Sequence, residues 1–321
     1  MSIQHILLGA SLLLMSCGGK SSAGSTSDSL PSDNASPVAV TFSADSAYSY
    51  LAKQVEFGPR VPNSEPHRLT GDWLVAQLKR HGAKVTEQKV DLTAFDGTVL
   101  HARNIFGQIN PGATKRILLL AHYDCRPWAD QDADRSKRKE PVDGANDGAS
   151  GVAVILETAR QLKASNSNLG VDFLFVDAED WGTDGDEESW AMGTRYFAQN
   201  PPVAGYTPTY AILLDMVGGK DALFPREYFS QQNAGPLNDA FWEAARKAGH
   251  ADRFLNSMGG AVTDDHVELL KAGIPAIDII EYNSSSGFNP NWHTTTDNLD
   301  NISKETLGAV GESLMQFLSA Q

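Results

Sequence analysis

Three apolar runs in this chain each stop at an acid or an imidazole. Leu118-Leu119-Leu120-Ala121 runs into His122-Tyr123-Asp124, Phe173-Leu174-Phe175-Val176 into Asp177-Ala178-Glu179-Asp180, and Ile212-Leu213-Leu214 into Asp215-Met216. Continuous apolar runs of this length fit strands covered on both faces, as in a parallel sheet flanked by helices. Strands are expected over 84–92, 99–109, 116–122, 171–177, 210–215 and 275–280. Residues 149–164 place Val152, Ile155, Leu156, Ala159 and Leu162 on one helical face, and helical periodicity recurs over 43–56, 65–81, 236–249, 265–272 and 303–318. Strand and helix alternate through the second half of the chain. The expected fold is therefore α/β: a three-layer α/β/α sandwich around a central mixed, largely parallel sheet, opened by an antiparallel pair before residue 110. Ligands in such sheets bind beyond the carboxyl ends of the strands, which is where the three runs deliver their polar side chains.

Charge narrows the partners. With 26 Lys+Arg against 40 Asp+Glu, the net charge of −14 repels a phosphate backbone, and no nucleic-acid partner is expected. The 41% hydrophobic content of 321 residues supports one sizeable core, so residues 39–321 are expected to form a single domain, as a monomer. Ile6 to Met15 is an apolar run too short to span a bilayer. Leu14-Met15-Ser16-Cys17 resembles a bacterial lipobox. That resemblance implies a lipoprotein signal peptide over residues 1–17, ending at a lipidated Cys17, although the residues before the run include His5 and no Lys or Arg. Residues 18–38 have the Ser/Gly composition of a flexible tether. The expected location is the bacterial cell envelope, lipid-anchored and facing the periplasm or the outer surface. With Cys17 acylated, Cys125 is the one remaining thiol and no internal disulfide can form.

The strand-end rim offers His122, Asp147, Asp180, Asp215 and, from a later loop, His293. Zinc takes imidazole nitrogen and carboxylate oxygen, and keeps a position open where it does chemistry. Taken singly, each residue has a plainer explanation: Asp147-Gly148-Ala149 stands where a helix N-cap belongs, and a lone His is commonly a hydrogen-bonded surface residue. Five such residues converging at the ends of apolar elements are harder to explain that way.

The same residues carry a family resemblance. His122-x-Asp124, Gly144-Ala145-Asn146-Asp147-Gly148-Ala149-Ser150-Gly151, Asp177-Ala178-Glu179-Asp180, Leu214-Asp215-Met216-Val217-Gly218 and Trp292-His293-Thr294 resemble, in order and spacing, the zinc aminopeptidase and glutaminyl cyclase clan. The resemblance implies that Asp147, Asp180 and His293 hold a zinc ion and that Glu179 is the general base. Asp180 departs from the pattern, since many relatives carry Glu there. His122 and Asp215 match the extra ligands of a two-zinc site, so ligand count leaves open whether one or two ions bind.

The neighbours of the ligands favour the cyclases. Trp292 before His293, the long segment 181–193 that lets Trp190 cover the site, and Thr263-Asp264-Asp265-His266 all resemble that branch. There the resemblance implies that Asp264 shares a hydrogen-bond network with Glu179 and Asp215, and that the substrates are peptides or proteins with an N-terminal glutamine. Asp278 interrupts the apolar run 274–280, where animal-type cyclases carry a His; it is expected either to line the substrate pocket beside Trp190 and Trp292 or to be a satisfied structural acid. Trp128 and Trp181 are expected to be packing residues, and the charged insert 126–143 a solvated loop. The rival expectations are a two-zinc aminopeptidase and a non-catalytic surface lipoprotein that binds a partner.

Overall fold

The computed structural model describes residues 41–321; the expected signal peptide, Cys17 and the tether lie outside the described residues. The chain runs α1 (Ala44–Glu56), α2 (Glu65–Arg80), β1 (Lys84–Thr93), β2 (Val99–Ile109), β3 (Arg116–His122), α3 (Ala149–Ala164), β4 (Gly170–Val176) and α4 (Met192–Gln199). It continues with β5 (Tyr210–Asp215), β6 (Phe224–Arg226), α5 (Tyr228–Ala248), β7 (Phe254–Met258), α6 (Asp265–Lys271), β8 (Ala276–Ile280) and α7 (Lys304–Leu318). Several helices start at the residues their sequences advertise. Ser43, Ser64 and Ser303 cap α1, α2 and α7, each accepting a hydrogen bond from a backbone N–H three residues on.

The six-stranded sheet has the order β1-β2-β4-β3-β5-β8. β1 and β2 form the expected antiparallel pair, β2 is antiparallel to β4, and β4, β3, β5 and β8 run parallel. Side-chain alternation splits the strands between two helical layers. Ile117, Leu119, Ile212, Leu214, Ile277 and Ile279 pack with α1, α3, α5 and α7, while Leu118, Leu120, Leu174, Leu213 and Ala276 pack toward α4 and α6. Burying each such Leu or Ile stabilises the fold by about 2 kcal/mol, and β3 and β4 are buried at every position. The expected three-layer sandwich is the observed one.

The differences have local causes. α5 begins at Tyr228 instead of 236, because Glu227 caps an extra segment through Phe229 N and Ser230 N, and the chain kinks at Ala234 just before Pro236. Proline, lacking an N–H, imitates a helix start there. β7 is mostly exposed and short, and pairs with β6 outside the main sheet, so no apolar run marks it.

The chain passes from β3 to β4 on one side and then to β5 on the other. That reversal opens a crevice at the carboxyl end of β3, the place where open α/β sheets bind ligands.

Candidate active site

A cleft of about 240 Å³ opens at this reversal, lined by Asp147, Glu179, Trp190, Asp215, Asp264, Trp292 and His293 among others. A larger cavity, about 440 Å³, lies beside α2 and the β1–β2 hairpin. Its cations are already matched there, Arg68 to Glu65 and Asp72, Arg103 to Asp72 and Glu87, and His101 to Asp91. The unsatisfied chemistry is in the smaller cleft.

Backbone strain presents the cleft residues. Ala178, Met216 and His293 take left-handed φ values of 55°, 46° and 54°, each at or beside a strand-end acid or ligand-type side chain. Asp147 is not the N-cap of α3: that place belongs to Gly148, with no side-chain cap bond, so the Asp147 carboxylate is free to face the cleft. Gly148 is required there because a Cβ would overlap His122 Nε2.

Two groups of potential metal ligands share Asp147, namely Asp147, Asp180 and His293, and His122, Asp147 and Asp215. In the first, His293 Nε2 stands 3.1 Å from Asp180 Oδ1 and 3.7 Å from Asp147 Oδ2. Neither Asp180 oxygen has a hydrogen-bond partner although the residue is 1% exposed. The ligating atoms of the three residues lie within 4.8 Å of one another, close enough to bind one cation together. In the second group His122 Nε2 is 2.9 Å from Asp147 Oδ1 and hydrogen-bonds Asp215 Oδ1 at 3.2 Å. Nε2 thus engages both carboxylates of that group, while His122 Nδ1 has no hydrogen-bond partner and lies 3.6 Å from Asp124 Oδ1.

Acids outside the expected set hold the first group in place. Asp130 lies 3.4 Å from His293 Nδ1 and takes Arg126 at 2.6 Å, the carboxylate–histidine arrangement that orients a ligating imidazole. Asp124 accepts from the backbone N–H of Glu179 at 3.3 Å and of Asp180 at 3.2 Å. Asp297 accepts from Asn146 N and Asp147 N. The insert 126–143 is solvated over most of 131–141, as expected, but its ends and Asp132 are anchored to the site. Gln131 N donates to His293 O, Asp132 takes both Thr295 N and Thr295 Oγ1, and Ala129 and Val142 are buried. Its Asp130-x-Asp132 spacing is the available sequence signal, but the pairing of Asp132 with Thr295 spans 163 positions.

The walls are aromatic. Trp292 stacks on His293 with centroids 3.8 Å apart, Trp190 lies parallel to His293 at 6.0 Å, and Phe288 packs on Trp292. Arg126 sits between the Trp128 and Trp190 rings at 4.9 and 4.8 Å, donating to the Asp180 and Gly182 carbonyls. Trp128 and Trp181 pack on each other at 5.6 Å outside the cleft lining. Trp190 and Trp292 are where the sequence put them; Asp278 is not. It is fully buried behind the cleft and does not line it, which leaves the structural alternative.

Burial and mutual repulsion shape the electrostatics. Burial first, then the charges of Asp264, Asp180 and Asp265, hold Glu179 well above the usual carboxylate range against the pull of His122. Burial and Asp215 push Asp264 up to about 7. Burial and then Asp147 also raise Asp215, whereas at Asp147 the His122 hydrogen bond and nearby cations outweigh burial and lower it. Burial alone would lower His293, but Asp180, Asp130 and Asp147 bring it up to about 9. A divalent cation at Asp147, Asp180 and His293 would pull this whole set toward ionised carboxylates and neutral imidazole.

This constellation on this sheet defines a class. The model of peptidase family M28 matches residues 104–318, and the chain belongs to that family. Within it, the chain is similar to the glutaminyl cyclase of Porphyromonas gingivalis: 50% identity, a TM-score of 0.86, and coverage of 87% of this chain and 99% of that one. A structure from Bacteroides thetaiotaomicron described as a leucine aminopeptidase precursor is similar at 47% identity and TM-score 0.86, covering 88% of this chain and 99% of that one. The glutaminyl-peptide cyclotransferase of Bos taurus is 28% identical over 244 residues, 67% of this chain; the match spans 65% of that relative's own length.

Proposed function

We propose that this chain is a zinc-dependent glutaminyl cyclase, closing the N-terminal glutamine of peptides or proteins into pyroglutamate with release of ammonia. The observation that carries this reading is Glu179 beside the open Asp147/Asp180/His293 group, in a cleft walled by Trp190 and Trp292. Two indoles suit the uncharged side-chain amide of glutamine better than a charged group. The similarity to the Porphyromonas gingivalis cyclase supports the same reading.

Asp147, Asp180 and His293 would hold one zinc ion, whose chemistry is Lewis-acid polarisation of the glutamine γ-carbonyl. The residues of the chain do the rest. The α-amine titrates near about 8 in free peptides, so a base must take its proton. The α-amine attacks in its free form; as its nitrogen bonds to the side-chain amide carbon, Glu179 takes one N–H proton from it and delivers that proton to the amide nitrogen, which leaves as ammonia as the C–N bond breaks. Asp264, lining the same cleft, repels a charge on Glu179 and keeps it able to hold a proton, and Asp215 acts in the same sense on Asp264. Arg126 fixes the Asp180–Gly182 carbonyls, and Asp130 fixes the His293 ring.

A second reading, a two-zinc aminopeptidase, draws on His122 and Asp215 gathering round Asp147, and on the leucine aminopeptidase precursor among the similar structures. The experiment that separates the two incubates purified protein with an N-terminal Gln dipeptide and with a Leu-amide substrate, following products by mass. Loss of ammonia from the Gln substrate, abolished by chelation and restored by zinc, is the expected result. Free leucine without pyroglutamate makes the aminopeptidase reading correct, and silence on both leaves the non-catalytic binding protein. The proposal includes a monomeric catalytic domain over residues 39–321, tethered through residues 18–38 to a lipid at Cys17 in the cell envelope. Cys17→Ala should move the protein from the membrane to the soluble fraction.

A further inference from the structure

Behind Asp264 lies a group of buried side chains that the proposed reaction does not use. Asp278 comes from the middle of β8 and points, by alternation with Ile277 and Ile279, toward the α6 layer; it and His266 are both 0% exposed. Their polar atoms are unevenly satisfied. Glu227 accepts from Phe229 N at 2.9 Å, Val262 N at 3.1 Å, Ser230 N at 2.6 Å and Ser230 Oγ at 2.7 Å, and meets His266 Nε2 at 3.1 Å. Asp278 has none of this: neither carboxyl oxygen has a hydrogen-bond partner, and His266 Nδ1 stands 3.8 Å from Oδ2. Asp264 uses Oδ1 to cap α6 through Asp265 N, while its Oδ2 is also unpartnered. Asp264, His266 and Asp278 each offer a ligating atom within 4.8 Å of the others, which sets the Asp278 carboxyl beside that of Asp264.

Five groups face Asp278: Asp264 and Asp265 at the start of α6, His266 on α6, Glu227 at the cap of α5, and Asp215 from β5. Four are carboxyls, and the one imidazole is engaged by Glu227 through Nε2, its Nδ1 standing without a partner 3.8 Å from Asp278 Oδ2. A further buried negative charge is costly in that company, whereas a protonated carboxyl removes the charge and supplies the O–H that Asp264 Oδ2 lacks. We propose that Asp278 is held as a neutral carboxylic acid and serves as a positioning residue, its O–H donating to Asp264 Oδ2 and fixing that carboxylate at the back of the cleft. Burial, followed by the charges of Asp264, Glu227, Asp215 and Asp265, raises the Asp278 carboxyl well above its usual range, in agreement. The catalytic consequence rests on the cyclase reading; the protonation does not.

The test compares the full protein with Asp278→Asn and Asp278→Ala. In the infrared spectrum at pH 7, the wild type should show a protonated-carboxyl band that is absent from Asp278→Asn. Asn imitates a neutral acid with a donor, so Asp278→Asn should keep kcat within about threefold, while Asp278→Ala should lose about tenfold or more with KM little changed. The native state would hold a proton that the unfolded chain, with a pKa near about 3.9, releases. Between pH 5 and 8 the wild type should therefore lose stability with rising pH more steeply than Asp278→Asn, by about tenfold in the unfolding constant per pH unit. Identical carboxyl bands in wild type and Asp278→Asn overturn the proposal. So does Asp278→Asn falling as low as Asp278→Ala, or a second metal ion per chain that Asp278→Asn loses, which would make the cluster a cation site. Should the asparagine variant not fold, Asp278→Ala takes its place in the spectrum: a wild-type band lost from that variant supports the proposal, and an unchanged band overturns it. If no variant cyclises glutamine, the cyclase reading fails while the band and the slope still decide the protonation.

Discussion

The two ligand groups that share Asp147 use the same residue types and reach opposite states. Around His122 the imidazole Nε2 hydrogen-bonds Asp215 and touches Asp147, while Nδ1 has no hydrogen-bond partner and stands 3.6 Å from Asp124. Around His293 the ring is held from its far nitrogen by Asp130, and Asp180 keeps both oxygens unpartnered. A buried polar atom without a partner is costly unless something completes it. Burial and residue type are equal in the two groups, and each ring has a carboxylate beside its far nitrogen, Asp124 at 3.6 Å and Asp130 at 3.4 Å; what separates them is that Asp215 is hydrogen-bonded by His122 and by Met216 N, whereas Asp180 has no partner.

That contrast can be broken or sharpened by experiment, and the largest effect is expected at the open group. His293→Ala or Asp147→Ala should remove bound zinc and with it all turnover, measured by metal analysis beside the cyclisation assay; a variant that keeps its zinc would place the ion elsewhere. Glu179→Gln should keep zinc and lose about 10²- to 10⁴-fold in kcat; undiminished turnover would remove Glu179 as the base. Asp130→Asn should weaken zinc binding by about 10- to 100-fold in a chelator competition, because the His293 ring loses its orienting carboxylate.

Uptake of zinc by the apo protein should tighten as pH rises. His293, raised to about 9, must give up a proton to bind, so affinity gains about tenfold per unit up to about pH 9 and then levels. A flat profile from pH 6 to 9 would show His293 neutral throughout. The smallest effect belongs to the closed group: His122→Ala should leave one zinc per chain and lower turnover by about tenfold. If the wild type carries two ions and this variant one, the two groups are equivalent and the two-zinc reading prevails.

Most of the scaffold was legible. β2, β3, β5 and α3 begin and end where their residue patterns place them, because apolar periodicity is written in neighbouring positions. Gly148, which looked like the middle of an Asp N-cap, is itself the cap residue, and that frees Asp147. Asp130 and Asp297 were not legible as parts of the site, since their partners, His293 and the backbone at 146–147, are more than a hundred residues away. Asp278 stood out correctly as an anomaly in an apolar strand, but strand alternation sends it to the layer behind the cleft.

By itself the sequence determined the α/β layers, the strand ends that carry His122, Glu179, Asp180 and Asp215, and the tryptophans beside the ligands. All of these follow from local pattern, where each side chain's role is set within a few positions of it. Only the tertiary structure decided which acids meet: the reversal of strand order at β3, the packing of the 126–143 insert against residues 293–295, and the burial of Asp180 and of Asp264 Oδ2 without a hydrogen-bond partner. Convergence depends on contacts between distant segments, and a polar atom's state depends on who stands within hydrogen-bond reach after the chain has folded.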